Sequence, residues 1–201
     1  MVAPADKPEL RLDLRSAHVL CADSTSIGLD IIAQILHGFG VAQVVRACGP
    51  QEFRDWIKKK TFDLIIVDAE IGDHEGFELI RALRTSAPEA NRVVPVVCVS
   101  GYLPKSRVVA ARDCGANFVV AKPLSAGVLL DRIVWLGRHD RLFVESPNYV
   151  GPDRRFKNSG IPSDTGGRRA GDLSVNVGHP IGANMSQDEI DGMLKPQRLG
   201  L

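Results

Sequence analysis

The chain has 201 residues, 44% of them hydrophobic, and its 25 lysines and arginines nearly balance 24 aspartates and glutamates. That length suits one ordinary domain with extra segments, or at most two small ones, and the charge balance argues for neither nucleic acid nor membrane as a partner. No apolar run approaches the ~18 residues of a membrane span, and the N-terminus "MVAPADKPELRLDLRS" lacks the apolar stretch of a signal peptide.

Residues 1–16 read as a flexible polar leader in which Pro4 and Pro8 oppose regular structure. "AHVLCA" then predicts a strand and "STSIGLDIIAQILHGFG" a helix. Ser24 or Thr25 offers the helix's N-cap, Ile27, Ile31, Ile35 and Leu36 its apolar face, and Gly38 its end. "AQVVRA" predicts a strand and "PQEFRDWIKKK" a helix with Phe53, Trp56 and Ile57 inward. "FDLIIVD" is a buried strand, and "EGFELIRALRTS" a helix with Phe77, Ile80 and Leu83 on one side. "VVPVVCVS" is a strand despite Pro95, "PKSRVVAARDCG" a helix ended by Gly115, "NFVVA" a strand and "SAGVLLDRIVWLGRHDRL" a helix. Cys21, Cys48, Cys98 and Cys114 show no metal-ligand spacing and read as small buried hydrophobes in a reducing, cytoplasmic setting.

Five short apolar strands alternating with five amphipathic helices imply an α/β fold: a doubly wound, five-stranded parallel sheet with helices on both faces. After about residue 142 the pattern stops, and residues 141–184, rich in Gly, Pro, Asn and Ser, read as a disordered linker. Order is expected again in "MSQDEIDGML". Ser186 as N-cap with Glu189 makes a capping box, Met185 and Ile190 form a hydrophobic staple, and Ile190, Met193 and Leu194 share a face. The short amphipathic helix is expected over 185–195, stopped by Pro196, with 196–201 a flexible end.

In an open α/β sheet, function sits beyond the carboxyl ends of the strands. Those ends carry Asp23, Asp68, Ser100 and Lys122 with Pro123. Carboxylates brought close repel unless a cation lies between them, and oxygen-seeking Mg²⁺ is the natural choice. A lysine and a hydroxyl beside them can hold the oxygens of a transferred phosphoryl group. Asp23 alone reads equally well as a turn or cap residue. His18, His37 and His139 show no ligand spacing, His74 reads as a loop residue, and Trp56 and Trp135 as packing residues. Arg154–Arg155 and Arg168–Arg169 read as solvated charge.

"VLCADS", "FDLIIVDAEIGDHEG", "VVCVSG" and "GANFVVAKPL", in this order and spacing, resemble the receiver domain of bacterial two-component response regulators, which would span residues 17–140. The resemblance implies a flavodoxin-like fold, with Asp68 as phosphoacceptor for a histidine kinase or phosphotransfer protein. It implies Mg²⁺ held by Asp23, Asp68 and the backbone carbonyl of Glu70, with Ser100 as switch hydroxyl and Lys122 as ion-pair partner. The protein would then be a signalling protein rather than an enzyme. Four positions depart from the family pattern: Ala22 replaces one of its acidic pair, Glu70 and Gly72 follow the phosphoacceptor, and Val119 stands where an aromatic residue often rotates, with Phe118 beside it.

The tail peptide resembles the segments by which the flagellar motor switch protein and the chemotaxis phosphatase dock on a chemotaxis receiver, on the face of its fourth helix, fifth strand and fifth helix. That implies partner contacts through Ile190, Met193 and Leu194, with Val119 on the receiving face. The partner would be another receiver, a motor component or this chain's own receiver face. With no output domain in view, chemotaxis or flagellar control is the expected role. A non-phosphorylated pseudo-receiver scaffold is the alternative, and an enzyme on a flavodoxin-like sheet is disfavoured by the absence of a Gly-rich phosphate loop.

Overall fold

The computed structural model describes residues 13–72, 76–139, 141–154 and 185–194, so most of the expected leader, residues 155–184 of the expected linker and residues 195–201 lie outside them. Five strand–helix repeats run in chain order: β1 (His18–Ala22), α1 (Ser26–Gly38), β2 (Gln43–Ala47), α2 (Pro50–Lys59), β3 (Leu64–Asp68), α3 (Gly76–Ser86), β4 (Val96–Ser100), α4 (Lys105–Asp113), β5 (Phe118–Ala121) and α5 (Ala126–Arg138). One further helical turn, Glu89–Arg92, precedes β4. A hairpin, β6 (Phe143–Ser146) with β7 (Tyr149–Pro152), and the tail helix α6 (Gln187–Leu194) follow.

The sheet is parallel in the order β2-β1-β3-β4-β5, which leaves β5 at an edge. Alternate residues of each strand face opposite sides. Leu20, Ile65, Val67, Cys98 and Val119 pack with Phe53 and Ile57 of α2, Ile80 and Leu83 of α3, and Val108 and Ala111 of α4. On the other side Val19, Cys21, Ile66, Val97, Phe118 and Val120 pack with Leu29, Ile32 and Leu36 of α1 and Leu129 and Ile133 of α5.

The buried face of α1 is Leu29, Ile32, Ala33 and Leu36; Ile27 and Ile31, expected inside, are exposed. Both stripes recur at helical spacing, and packing against the sheet decides between them. Thr25 caps the helix, its hydroxyl accepting from Gly28 N at 3.1 Å. Of the four cysteines, Cys21, Cys98 and Cys114 are buried, but Cys48 is exposed in the turn before α2.

The expected linker does not begin at 141. Residues 143–152 form the antiparallel hairpin, which packs on α3 and on the turn that follows α4. Gly115, at φ +97°, makes that contact possible, because a Cβ there would lie 2.9 Å from Val150 O and 2.9 Å from Arg84 Cγ. Arg84, fully buried, ties the region together. It donates to the carbonyls of Gly115, Arg92 and Val94 at 3.0, 2.7 and 2.7 Å and to Asn117 Oδ1 at 3.1 Å, with Phe143 stacked on its guanidinium. Burial brings its pKa down to about 10, so it stays charged.

Candidate functional site

A parallel sheet delivers every strand's carboxyl end to one edge, and the backbone ladder continues past the strands to hold that edge. Asp23 N donates to Ala47 O at 3.2 Å, Ala69 N to Val99 O at 2.8 Å and Lys122 N to Ser100 O at 2.8 Å. Asp23, Asp68 and Ser100 are all nearly inaccessible there. Lys122 Nζ donates to Asp23 Oδ2 at 3.0 Å and also to Asp68 Oδ2, so one ammonium bridges the two carboxylates. Thr25 N and Oγ1 donate to Asp23 Oδ1 at 2.8 and 2.7 Å, and Glu70 N donates to Asp68 Oδ1 at 2.7 Å. The turn-residue and site readings of Asp23 therefore describe the same side chain, one oxygen serving each. Gly28 is part of this geometry, since a Cβ there would lie 2.6 Å from Asp23 Cγ and 2.7 Å from Thr25 Oγ1.

Burial raises the proton affinity of both carboxyls, with opposite outcomes. At Asp23 the hydrogen bonds from Thr25 and Lys122 outweigh burial and hold the group below the ordinary carboxylate range. At Asp68 burial, reinforced by the Asp23 charge, outweighs the bonds from Lys122 and Glu70 and holds it above that range. Lys122 is desolvated too, but its two carboxylate bonds raise its pKa above the usual lysine value. One ammonium thus faces two buried carboxylates, and Asp68 carries the unmet demand for positive charge. The two hard carboxylate groups suit a hard divalent cation such as Mg²⁺. Ala22, fully buried, contributes no third carboxylate, and among the described residues no group of three or more His, Cys, Asp or Glu side chains gathers as a metal cluster.

Ser100 lies at the same edge, its hydroxyl donating to Tyr102 O at 3.0 Å and accepting from Tyr102 N at 3.2 Å. The Glu70 side chain is engaged by Arg107 of α4 at 3.4 Å, and Arg107 stacks over Phe77. Sequence reasoning missed Arg107 and Thr25 as partners of the site. For Thr25 the signal was present, a hydroxyl two residues after a candidate site aspartate.

The tail helix lies on the structure's own β5 edge. The expected capping box forms: Ser186 N donates to Glu189 Oε2 at 2.8 Å, and Glu189 N to Ser186 Oγ at 3.4 Å. Met185 N donates to Leu103 O at 2.9 Å. Gln187 Oε1 accepts from Ala121 N at 2.7 Å while its Nε2 donates to Val119 O at 3.3 Å. Ile190 is fully buried in the core cluster that holds Val119, with Met185 and Met193 packed against it. Asp191 pairs with Arg132 of α5, itself 4% exposed. Val119 is buried beneath the seated helix, in the same apolar cluster as Ile190, and offers its carbonyl to Gln187. Gln187 and Arg132 were not singled out in the sequence, although Gln187 and Asp191 stand four apart on one helix face.

The response regulator receiver domain family profile matches residues 19–134. Regulatory protein VirG of Agrobacterium fabrum is 30% identical over 119 residues, covering 58% of this chain and 44% of VirG. Sensory/regulatory protein RpfC of Xanthomonas campestris is 27% identical over 61% of this chain and 17% of its own length, so the chain spans less than half of these two relatives. Chemotaxis protein CheY of Pseudomonas aeruginosa is 27% identical over 57% of this chain and 91% of CheY. Among solved structures, a CheY-like response regulator receiver domain protein from Methanospirillum hungatei superposes with a TM-score of 0.53 at 27% identity, covering 59% of this chain and 91% of that one.

Proposed function

This chain belongs to the response regulator receiver domain family, and on that premise we propose that it accepts a phosphoryl group on Asp68 from a phosphohistidine of a kinase or phosphotransfer protein in the cytoplasm. The observation that carries this reading is the bridging of Asp23 and Asp68 by Lys122 at the carboxyl edge of the sheet. An Asp68 carboxylate oxygen forms the bond to phosphorus as the donor's N–P bond breaks. The bonding pair leaves with the imidazole nitrogen, which takes up a proton. Lys122 orients the Asp68 carboxylate and then holds a phosphoryl oxygen, and the Ser100 hydroxyl turns from Tyr102 to hold another. Glu70 N keeps the non-attacking oxygen in place. Mg²⁺, held by Asp23, Asp68 and the Glu70 carbonyl, would neutralise charge on the incoming phosphoryl group.

The likeness to Pseudomonas aeruginosa CheY, nearly all of which the chain matches, supports a role in chemotaxis or flagellar control through protein contacts. A small-molecule phosphodonor with and without Mg²⁺, read by intact mass, tests the proposal. A Mg²⁺-dependent gain of one phosphoryl group, absent in Asp68→Asn, is expected. The buried Ala22 favours the rival reading, a scaffold that is not phosphorylated; no gain under any condition would establish that rival.

A further inference from the structure

We propose that α6 is an intramolecular latch on this chain's own α4–β5–α5 face, and that a helical segment of another protein with Gln, Ile and Asp at i, i+3 and i+4 can take its place. The proposal goes beyond phosphoryl transfer and does not require it. The open edge of β5 presents the carbonyl of Val119 and the amide of Ala121, and the Gln187 side chain closes both. A primary amide offers an acceptor and a donor side by side as a peptide group does, so glutamine can complete a sheet edge from a helix. Ile190, three residues on, fills the apolar seat beside Val119. Asp191, four residues on, meets Arg132, a buried cation for which this is the pairing carboxylate. The face therefore reads three side chains at helical spacing, a helix-in-groove mode.

The occupant is replaceable. Eight residues make a helix that is marginal alone, and residues 155–184 join it to the hairpin, so it is held by these anchors and by tethering. A tethered binder acts at an effective concentration of about millimolar when its linker can span the sites, which an outside helix must overcome.

The test is fluorescence anisotropy with a labelled synthetic peptide of residues 184–196. It is titrated with the unphosphorylated full chain and with the full chain carrying Gln187→Ala and Ile190→Asp. The latch-off chain is expected to bind at least about tenfold more tightly, the factor set by the tail's local concentration over the peptide Kd. In that background Arg132→Glu should abolish binding, and a peptide carrying Asp191→Arg should restore it, a rescue that a misfolded face could not give. Equal affinity of the full and latch-off chains would overturn the proposal, as would binding indifferent to Arg132→Glu. A full chain that is dimeric, and becomes monomeric in the latch-off variant, would overturn the intramolecular assignment. Because no phosphodonor is used, these failures are separate from a failure of phosphorylation.

Discussion

Asp23 and Asp68 share one ammonium but contribute to stability with opposite sign. A depressed folded pKa, as at Asp23, stabilises the fold above the unfolded pKa of about 3.9, and that gain is lost as pH falls through the folded value. A raised folded pKa, as at Asp68, costs stability at neutral pH, and the cost shrinks as pH falls through the raised value. In chelator-treated buffer, Asp68→Asn should therefore raise the thermal midpoint at pH 7, with the advantage fading toward pH 4. Asp23→Ala, which leaves Thr25 N and Oγ1 without their acceptor, should cost about 1–3 kcal/mol by urea unfolding. Millimolar Mg²⁺ should raise the midpoint of the unsubstituted chain by mass action and do so less in either variant. Gly28→Ala should abolish Mg²⁺-dependent phosphorylation while the fold survives, because its Cβ would displace the Asp23 carboxylate. Asp23, Asp68 and Lys122 were legible in the sequence because each ends or follows an apolar strand, and a parallel sheet brings such positions to one edge. The link from Glu70 to Arg107 was not, since it joins a loop and a helix 37 residues apart with no periodic pattern to signal it.

At the scale of elements, the five strands and five helices follow from apolar runs and caps, and their order from the rule that parallel strands need helical crossovers. Half of the expected α1 face holds, since Leu36 is buried and Ile35 packs against the core, but Ile27 and Ile31 are exposed, because they make with Ile35 a stripe as regular as Leu29, Ile32 and Leu36, and only contact with the sheet separates them. The hairpin was invisible because Phe143, Tyr149 and the residues between them form strands too short to show an alternation. Its stability comes from Arg84, Gly115 and Asn117 elsewhere in the chain. Arg84→Met should destabilise the domain by about 2–4 kcal/mol in urea, as three buried acceptors and one half-buried one lose their donor. The tail helix was legible through its capping box, whereas its seat was not. Ser186→Ala should cost about 1 kcal/mol of helix formation and weaken the latch to the same degree, read as tighter binding of the labelled tail peptide by the full chain.

Across the whole molecule, the tail helix is anchored to the two segments that carry Ser100 and Lys122. Met185 N is held by Leu103 O, in the turn that Ser100 stabilises through Tyr102, and Gln187 is held by Ala121 N, next to Lys122. If Ser100 turns to a phosphoryl oxygen, Tyr102 loses that support, Leu103 shifts, and the latch loosens. Coupling is reciprocal at equilibrium, so opening the latch should favour the phosphorylated form by the same factor. Hydrogen–deuterium exchange of the Ala121 amide and of residues 185–194, before and after addition of a phosphodonor with Mg²⁺, tests this account most directly. Faster exchange in both places in the unsubstituted chain, with no change in Asp68→Asn, is the predicted result. Exchange that stays the same in the phosphorylated chain, or rises equally in Asp68→Asn, would contradict it.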